Sequence, residues 1–320
     1  MYTASNFTRE RLPELIRFIS EHARRRWPEP SRFMTSDLAW QLPGSNPKQF
    51  LRLWYENERL TGFAWFQPPC QLQLQLDAAT DPALAQDMLD WGIAVRKEWP
   101  KGALPYLDHQ SMDEWADAIR NPRPVPESGR QLVVSVMATD TDLERIVSEA
   151  GFSLSTHHEP YLVHDLTAVT PEIPDGYAVK PVGQSPEALE AYVEAHRDAW
   201  APSTGFTLAH LERVREFSEV FEPELNLVGI DASGEIAACT IFWQDTHAGI
   251  GSIEPFGTRP AHRGTGISKA LILSGLTALK RRGMHGCQIH TAGFNHPAKA
   301  LYRSCGFREV TRSRTWTTTL

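Results

Sequence analysis

Residues 12–25 read as a helix that Pro28-Glu29-Pro30 brings to an end. Apolar runs at 50–54 and 60–66 flank an Asn57-Glu58-Arg59 turn and predict two strands. Leu72, Leu74 and Leu76 alternate with Gln, the period of a half-buried strand, and Asp81-Pro82 opens a helix to about Lys97. Residues 108–130 contain Asn121-Pro122-Arg123-Pro124-Val125-Pro126, which predicts a loop. A strand at 131–137, a helix at 142–150 and a Gly151-Phe152 turn into a strand ending near Asp165 complete this half. The linker is then 166–175, with two prolines, before the turn at Asp175-Gly176.

The second half carries its strongest pattern from Ile253 onward. A strand breaks at Glu254-Pro255, resumes through Phe256-Gly257-Thr258, and leads into a Gly-rich turn and a helix. That helix lines up Ile272, Leu273, Leu276 and Leu279 on one stripe and stops at Lys280-Arg281-Arg282-Gly283. A strand at 286–291 and a second helix follow.

The two halves repeat the same order of elements. Residues 60–66 parallel 236–242 at an offset of 176, and the stretch ending Gly151-Phe152 parallels the one ending Gly306-Phe307 at an offset of 155. The difference of 21 is close to the length of the Pro-rich insert, so one unit repeated twice, with an insertion in the first copy, accounts for both offsets.

Composition narrows the function classes. The chain of 320 residues is 41% hydrophobic and 22% charged, long enough for two domains. A net charge of -7 argues against a nucleic-acid partner; the longest cationic run, Arg24-Arg25-Arg26, reads as a solvated helix end. With no membrane-length or signal-like apolar segment, a cytoplasmic protein with no membrane partner is expected. Cys70, Cys239, Cys287 and Cys305 lack metal or redox spacing and are expected to be reduced and packed. No metal site is expected either: His157, His158 and His164 have no carboxylate or Cys partner at ligand spacing. His196, His247 and His290 each have the chemistry of an auxiliary base, a structural role being the usual one. Oligomeric state is not encoded in any of these patterns.

The candidate chemistry lies in the Gly-rich turn. Gly264 and Gly266 permit a sharp turn and close approach of a ligand, and the amides of Thr265, Gly266, Ile267 and Ser268 are the unpaired donors of a helix N-terminus, which suits an anion. Neither a P-loop nor a dinucleotide fingerprint fits, since the first spacing is absent and Lys269 stands where a third Gly is required. Arg263-Gly264-Thr265-Gly266-Ile267-Ser268 instead resembles the R-x-x-G-x-[GA] pyrophosphate loop of the GNAT superfamily of N-acetyltransferases, with Ser268 replacing Gly or Ala. About 30 residues on, Asn295-His296-Pro297-Ala298-Lys299-Ala300-Leu301-Tyr302-Arg303-Ser304-Cys305-Gly306-Phe307 resembles the superfamily's N-x-x-A-x-x-L-Y-x-x-x-G-F helix and turn.

The resemblance covers roughly 176–320 and implies an α/β protein of two GNAT-like domains, each a mixed, twisted sheet flanked by helices. It divides the chain into a degenerate domain at 1–165, the linker at 166–175 and a catalytic domain at 176–320. The implied cosubstrate is acetyl-CoA, with Arg263, Gly264, Thr265, Gly266, Ile267 and Ser268 around its pyrophosphate, Phe256, Gly257 and Thr258 beside its pantetheine arm, and Lys269 and Asn295 as further cosubstrate-binding residues. The implied proton donor to the departing thiolate is Tyr302, whose other reading is a core Tyr covering the cosubstrate. Making an amine with pKa near 10 nucleophilic at pH 7 costs roughly 4 kcal/mol, so a base is needed. Glu254, two residues before Phe256 and so expected on the same strand face, is the candidate; its other reading is a brace for the broken strand.

The first copy lacks these features. Asp77-Ala78-Ala79-Thr80-Asp81-Pro82 stands where the loop belongs, without Arg or Gly and with two carboxylates expected to repel a diphosphate, and Val147 replaces the Tyr. It resembles the degenerate half of tandem GNAT proteins and is expected to wall the acceptor cleft. Seven of ten Trp lie in it, read either as an aromatic acceptor pocket or as core. The expected acceptor is a small-molecule amine; a protein N-terminus or Lys is the enzymatic alternative, and a non-catalytic acyl-CoA-binding protein the alternative of another class.

Overall fold

A computed structural model of the chain describes residues 2–42, 50–77, 81–99, 111–121, 129–167, 170–203, 205–217 and 219–320. The first half supplies strands β1 Thr3–Asn6, β2 Leu51–Glu56, β3 Arg59–Gln67, β4 Gln71–Leu76, β5 Gln131–Met137 and β6 Ser153–His164. The second supplies β7 Tyr177–Pro181, β8 Asn226–Asp231, β9 Ile236–Asp245, β10 Ile250–Thr258, β11 Gly286–His290 and β12 Arg308–Thr319. Nine α-helices among the described residues cover them: α1 Leu12–Arg26, α2 Thr35–Gln41, α3 Pro82–Glu98, α4 Met112–Arg120, α5 Thr141–Glu149, α6 Pro186–Ala199, α7 Leu208–Arg215, α8 Ile267–Arg281 and α9 His296–Ser304.

All twelve strands form one mixed sheet in the order β1-β2-β3-β4-β5-β12-β6-β11-β10-β9-β8-β7. The element series of the two halves match, yet they are laced together at the centre. The last strand of the chain, β12, pairs antiparallel with β5 on one side and with β6 on the other, while β6 pairs onward with β11. Each half thus lends its final strand to the neighbouring series, and neither β6 nor β12 presents an open edge.

Burial explains the helix positions. Leu12, Leu15, Phe18, Ile19 and Ala23 place one face of α1 in the core, with Phe18 edge-on to Phe63 of β3. On the opposite face, a Cβ at Gly62 would meet Met88 of α3, and Leu72 fills the space over Gly92. Because helices cover both faces here, the alternation of β4 does not leave it half-buried: Gln73 and Gln75 are each only 4% exposed. The sequence pattern anticipates polar residues facing water, and the layer formed by α1 excludes it.

The insert at 108–130 contains α4, and of the loop expected at 121–126 all but Asn121 lies outside the described residues, as do 168–169 of the linker. Trp54 and Trp65 are fully buried core residues, while Trp40 reaches His196, Phe206 and His210 of the second half. All four cysteines are buried and free. Among the described residues no helix is long and apolar enough to cross a membrane.

Candidate active site

Strands β10 and β11 run parallel but pair only over Ile250↔Gly286, Gly251↔Cys287 and Ser252↔Gln288. Pro255 has no N–H to give to a ladder, and the pairing of β10 with β9 shifts register between Ile253 and Phe256. Beyond this bulge β10 stays with β9 at Phe256↔Thr240 through Thr258↔Ala238, while its other edge has left β11, which ends at His290. The result is a split in the sheet with an unpaired backbone edge at Phe256, Gly257 and Thr258. Close packing of α6 requires the glycine there, since a Cβ on Gly257 would lie 2.8 Å from Ala199 Cβ and 3.1 Å from Trp200 Nε1.

The turn after β10 has the predicted form. Gly264 and Gly266 take φ of 82° and 92°, conformations costly for any residue with a Cβ, and Gly266 is the N-cap of α8. Lacking a side chain, it leaves the first-turn amides of α8 uncapped. Thr265 Oγ1 donates to His262 O at 2.8 Å, and Thr258 and Ser268 hydroxyls lie 2.7 Å apart. Arg263 is exposed, with its guanidinium 3.3 Å from Thr258 O and Ala199 O, and Lys269 is exposed one turn on. Asn295 acts as N-cap of α9, accepting from Ala298 N at 3.3 Å, and its amide donates to Thr291 Oγ1 at 3.2 Å.

Tyr302 of α9 is 5% exposed, with Phe256 edge-on at 6.4 Å and Phe307 at 6.2 Å. Burial, and secondarily Cys305, push its pKa far up, so the phenol holds its proton at any physiological pH. Glu254 is half-buried, and Trp243 Nε1 donates to its backbone oxygen at 2.5 Å. The bulge interrupts the period of two between Glu254 and Phe256, so their expected common face does not follow from spacing: Phe256 packs beside Tyr302, whereas the carboxyl of Glu254 lies in the field of Asp37 and Glu159.

Those two partners, with Arg32 and Tyr161, come from the first half, and sequence reasoning missed all four. Ser31 N donates to Gln288 Oε1 at 3.1 Å, Gln288 Nε2 returns a bond to Ser31 O at 3.0 Å, and Ser252 Oγ donates to Ser36 Oγ at 2.7 Å. These bonds seat the start of α2 on the parallel pair β10/β11. Asp37 then accepts from Met34 N at 2.6 Å, and Arg32 donates to Tyr161 Oη at 2.9 Å and lies 3.8 Å from Glu159. Tyr161 stacks on His290 at 4.9 Å, and Ser313 Oγ donates to Glu159 at 3.2 Å.

The electrostatics follow from this crowding. Burial pushes Glu254 well above the usual carboxylate range; repulsion from Asp37 and Glu159 adds to it, and Arg32 offsets part. Burial also raises Asp37, against His290, the Met34 amide and Arg32. Glu159 feels the same burial, but Arg32, followed by His290 and His157, outweighs it and holds this carboxyl low. One strongly perturbed carboxyl beside one ionised carboxylate, at the end of a split sheet, is what a proton-accepting site needs.

The remaining candidates lie elsewhere. His164 Nδ1 accepts from Leu166 N at 2.9 Å and its ring meets Phe307; His158 is half-buried; His196 packs against Phe206 at 4.3 Å. Asp231, Glu235 and His262 cluster at the β8–β9 turn, where Asp231 Oδ1 already accepts the Ser233 and Glu235 amides.

The profile of the Acetyltransferase (GNAT) family matches residues 186–307, which holds β10, the glycine turn, α8, β11 and α9. A mycothiol acetyltransferase of Paenarthrobacter aurescens is 30% identical over 250 residues, covering 72% of this chain and 74% of the relative. The chain belongs to the GNAT acetyltransferase family. It is an acetyl-transferring enzyme, and the similarity extends over both halves. A second mycothiol acetyltransferase, from Arthrobacter sp., is 27% identical over 256 residues, covering 72% of this acetyltransferase and 74% of its own length. In fold, the acetyltransferase is similar to a GCN5-related N-acetyltransferase from Sphaerobacter thermophilus, with TM-score 0.64, 18% identity, and 99% and 95% of the two chains covered. It is equally similar to a tandem GNAT protein from the clavulanic acid biosynthesis pathway, with TM-score 0.64, 13% identity, and 100% and 98% covered.

Proposed function

We propose that this enzyme moves the acetyl group of acetyl-CoA to the amine of a small molecule, with the catalytic domain at 176–320, the linker at 166–175 and the domain at 1–165 closing the acceptor side. The observation that carries the reading is the pairing of an uncapped, glycine-turned helix start with a high-pKa carboxyl across one split in the sheet. The residues fit the cosubstrate: Gly264 and Gly266 hold a cradle with no Cβ in it, which the amides of Thr265, Ile267 and Ser268 line and Arg263 and Lys269 flank with charge. Phe256, Gly257 and Thr258 offer an unpaired strand edge to the amides of the pantetheine arm. Acetyl-CoA supplies the activated thioester.

The chain's own residues then divide the proton work. An ammonium enters a site where Asp37 and Glu159 outnumber the cation Arg32, so the acceptor is held in charged form first. Glu254, whose pKa is raised by burial and by those carboxylates, takes the proton and frees the lone pair. Tyr302, kept neutral by burial, supplies a proton to the departing thiolate. A small acceptor agrees with the similar proteins, which are named for acetyl transfer involving mycothiol. The test is a screen of small cationic and aromatic amines with purified enzyme and acetyl-CoA, following thiol release. Turnover that depends on a small amine is expected; turnover only with peptides bearing a free N-terminus or Lys would replace the reading with protein acetylation.

A further inference from the structure

A cavity of 330 Å³ lies in the first half, where β4 and β5 part company after Gln71↔Val133 and Leu72↔Val134. The end of α1, the start of α5 and Arg32 line it. Gln75 lines it, 4% exposed, and neither atom of its amide has a partner. Two further buried atoms on the wall are unpartnered, Arg26 Nε and Arg32 Nε. An amide and two guanidinium N–H groups left unmade at buried positions each carry a desolvation cost that an occupant removes.

The polarity of the free atoms decides what that occupant is. Of the carboxylates on the wall, Asp77 is engaged by both Arg25 and Arg59 and Asp140 by Arg26 at 2.8 Å, while Asp142 is exposed to solvent. What remains is three donors, Arg26 Nε, Arg32 Nε and Gln75 Nε2, beside the first-turn amides of α5, whose N-cap Asp140 makes no side-chain capping bond. Among the described residues the only buried side-chain acceptor on this wall without a partner is Gln75 Oε1. His22, pushed down to about 4 by burial and by Arg26 and Arg25, stays neutral there.

We infer that this cavity is a second ligand site, separate from the Gly264–Gly266 turn, and that it takes a small molecule with an oxyanion head, a carboxylate or a phosphate. Its volume sits at the small end of ligand pockets. Arg32 also makes the site more than a passive one. The same side chain that presents Nε to the cavity bonds Tyr161 and pairs with Glu159, which faces Glu254. Occupancy of the cavity therefore shifts the ionisation of the catalytic centre; this second step rests on the role proposed for Glu254.

Calorimetric titration of the full chain, saturated with CoA to fill the glycine turn, tests the site with inorganic phosphate and with malonate. Saturable one-to-one binding of at least one is expected, and which of them binds distinguishes a phosphate from a carboxylate head. Gln75→Leu keeps volume and removes only an unpartnered amide, so its melting temperature should be unchanged or higher while affinity falls at least tenfold. Should that variant fail to fold, Arg26→Lys keeps a cation near Asp140 and removes Nε, with the same expected loss. Absence of binding to either probe, or binding unaltered in the variants, overturns the site and makes the cavity a water-filled one; a second equivalent of CoA lost in Gln75→Leu overturns the small-oxyanion assignment. The pH profile of kcat/KM, with and without the bound probe, tests the coupling separately: an unmoved profile overturns the Arg32 relay while leaving the site intact.

Discussion

The two splits in the sheet, β4/β5 and β10/β11, have the same construction and different ends. Each begins with two or three parallel pairs and then opens, and each is followed by a helix. At the second, the helix begins on Gly266, which has no side chain to occupy the first-turn amides. At the first, Asp81 is the N-cap of α3 and accepts from Ala83 N at 2.9 Å, while Pro82 deletes another donor. One helix start is open to a diphosphate and the other has been closed by its own sequence. The repulsion expected from Asp77 is not the reason, because Arg25 and Arg59 both pair with it, and Tyr2 bonds Asp81. A fold repeated twice has kept its frame in both copies and an uncapped helix start at the split in one.

The largest test of that contrast is Gly266→Glu. A Cβ there sits at φ 92° and 3.2 Å from Pro174 Cγ, and the new carboxylate occupies the cradle. CoA binding should be lost by calorimetry while circular dichroism stays that of the parent. Wild-type titration should reach one CoA per chain; two equivalent sites would erase the distinction between the halves.

Next in size is Tyr302→Phe, which keeps the ring beside Phe256 and removes the proton. Turnover should fall by roughly 10² to 10⁴ with CoA affinity nearly unchanged. Unchanged turnover, measured where chemistry limits the rate, reduces Tyr302 to packing. Glu254→Gln should show a defect that shrinks from pH 6 to 10, as the amine deprotonates unaided; a constant defect moves the base elsewhere, with His290 next.

Asp37→Asn asks whether the first half belongs to the catalytic centre. It retains an oxygen for Met34 N and removes one charge facing Glu254, so the amine's KM should rise about tenfold at unchanged CoA affinity, an effect of about 1.4 kcal/mol. No change in KM would confine the acceptor site to the second half.

The smallest effect is on stability. His22 in the first half and His196 in the second are both pushed down to about 4, chiefly by burial. A His whose folded pKa is depressed takes its proton in the unfolded chain first, so stability falls as pH drops from about 6.5 toward 4, by on the order of 3 kcal/mol per residue. Thermal melts of His22→Gln and His196→Gln should each flatten part of that slope; a slope intact in both assigns the acid lability to other groups.

Most elements were legible because their cues are local. The Pro28-Glu29-Pro30 stop, the Asp81-Pro82 start and the Asn57-Glu58 turn, whose φ values are 49° and 64°, each act within a few residues. The helix α4 was hidden in a stretch whose prolines dominate its reading, and the depth of Gln73 and Gln75 was hidden because alternation reports which residues share a face and not whether that face is covered.

The glycine turn, the helix after it and the Tyr302 motif were determined by the sequence alone, since backbone freedom at Gly264 and Gly266 and an uncapped helix start are properties of adjacent residues. Only the tertiary structure decided what surrounds Glu254. Asp37 and Glu159 stand far from it along the chain, and no spacing rule links them; α2 brings one through its bonds to β10 and β11, and the exchange of β6 and β12 brings the other. A carboxyl's pKa depends on desolvation and on charges within a few ångströms, and both are set by which strands become neighbours.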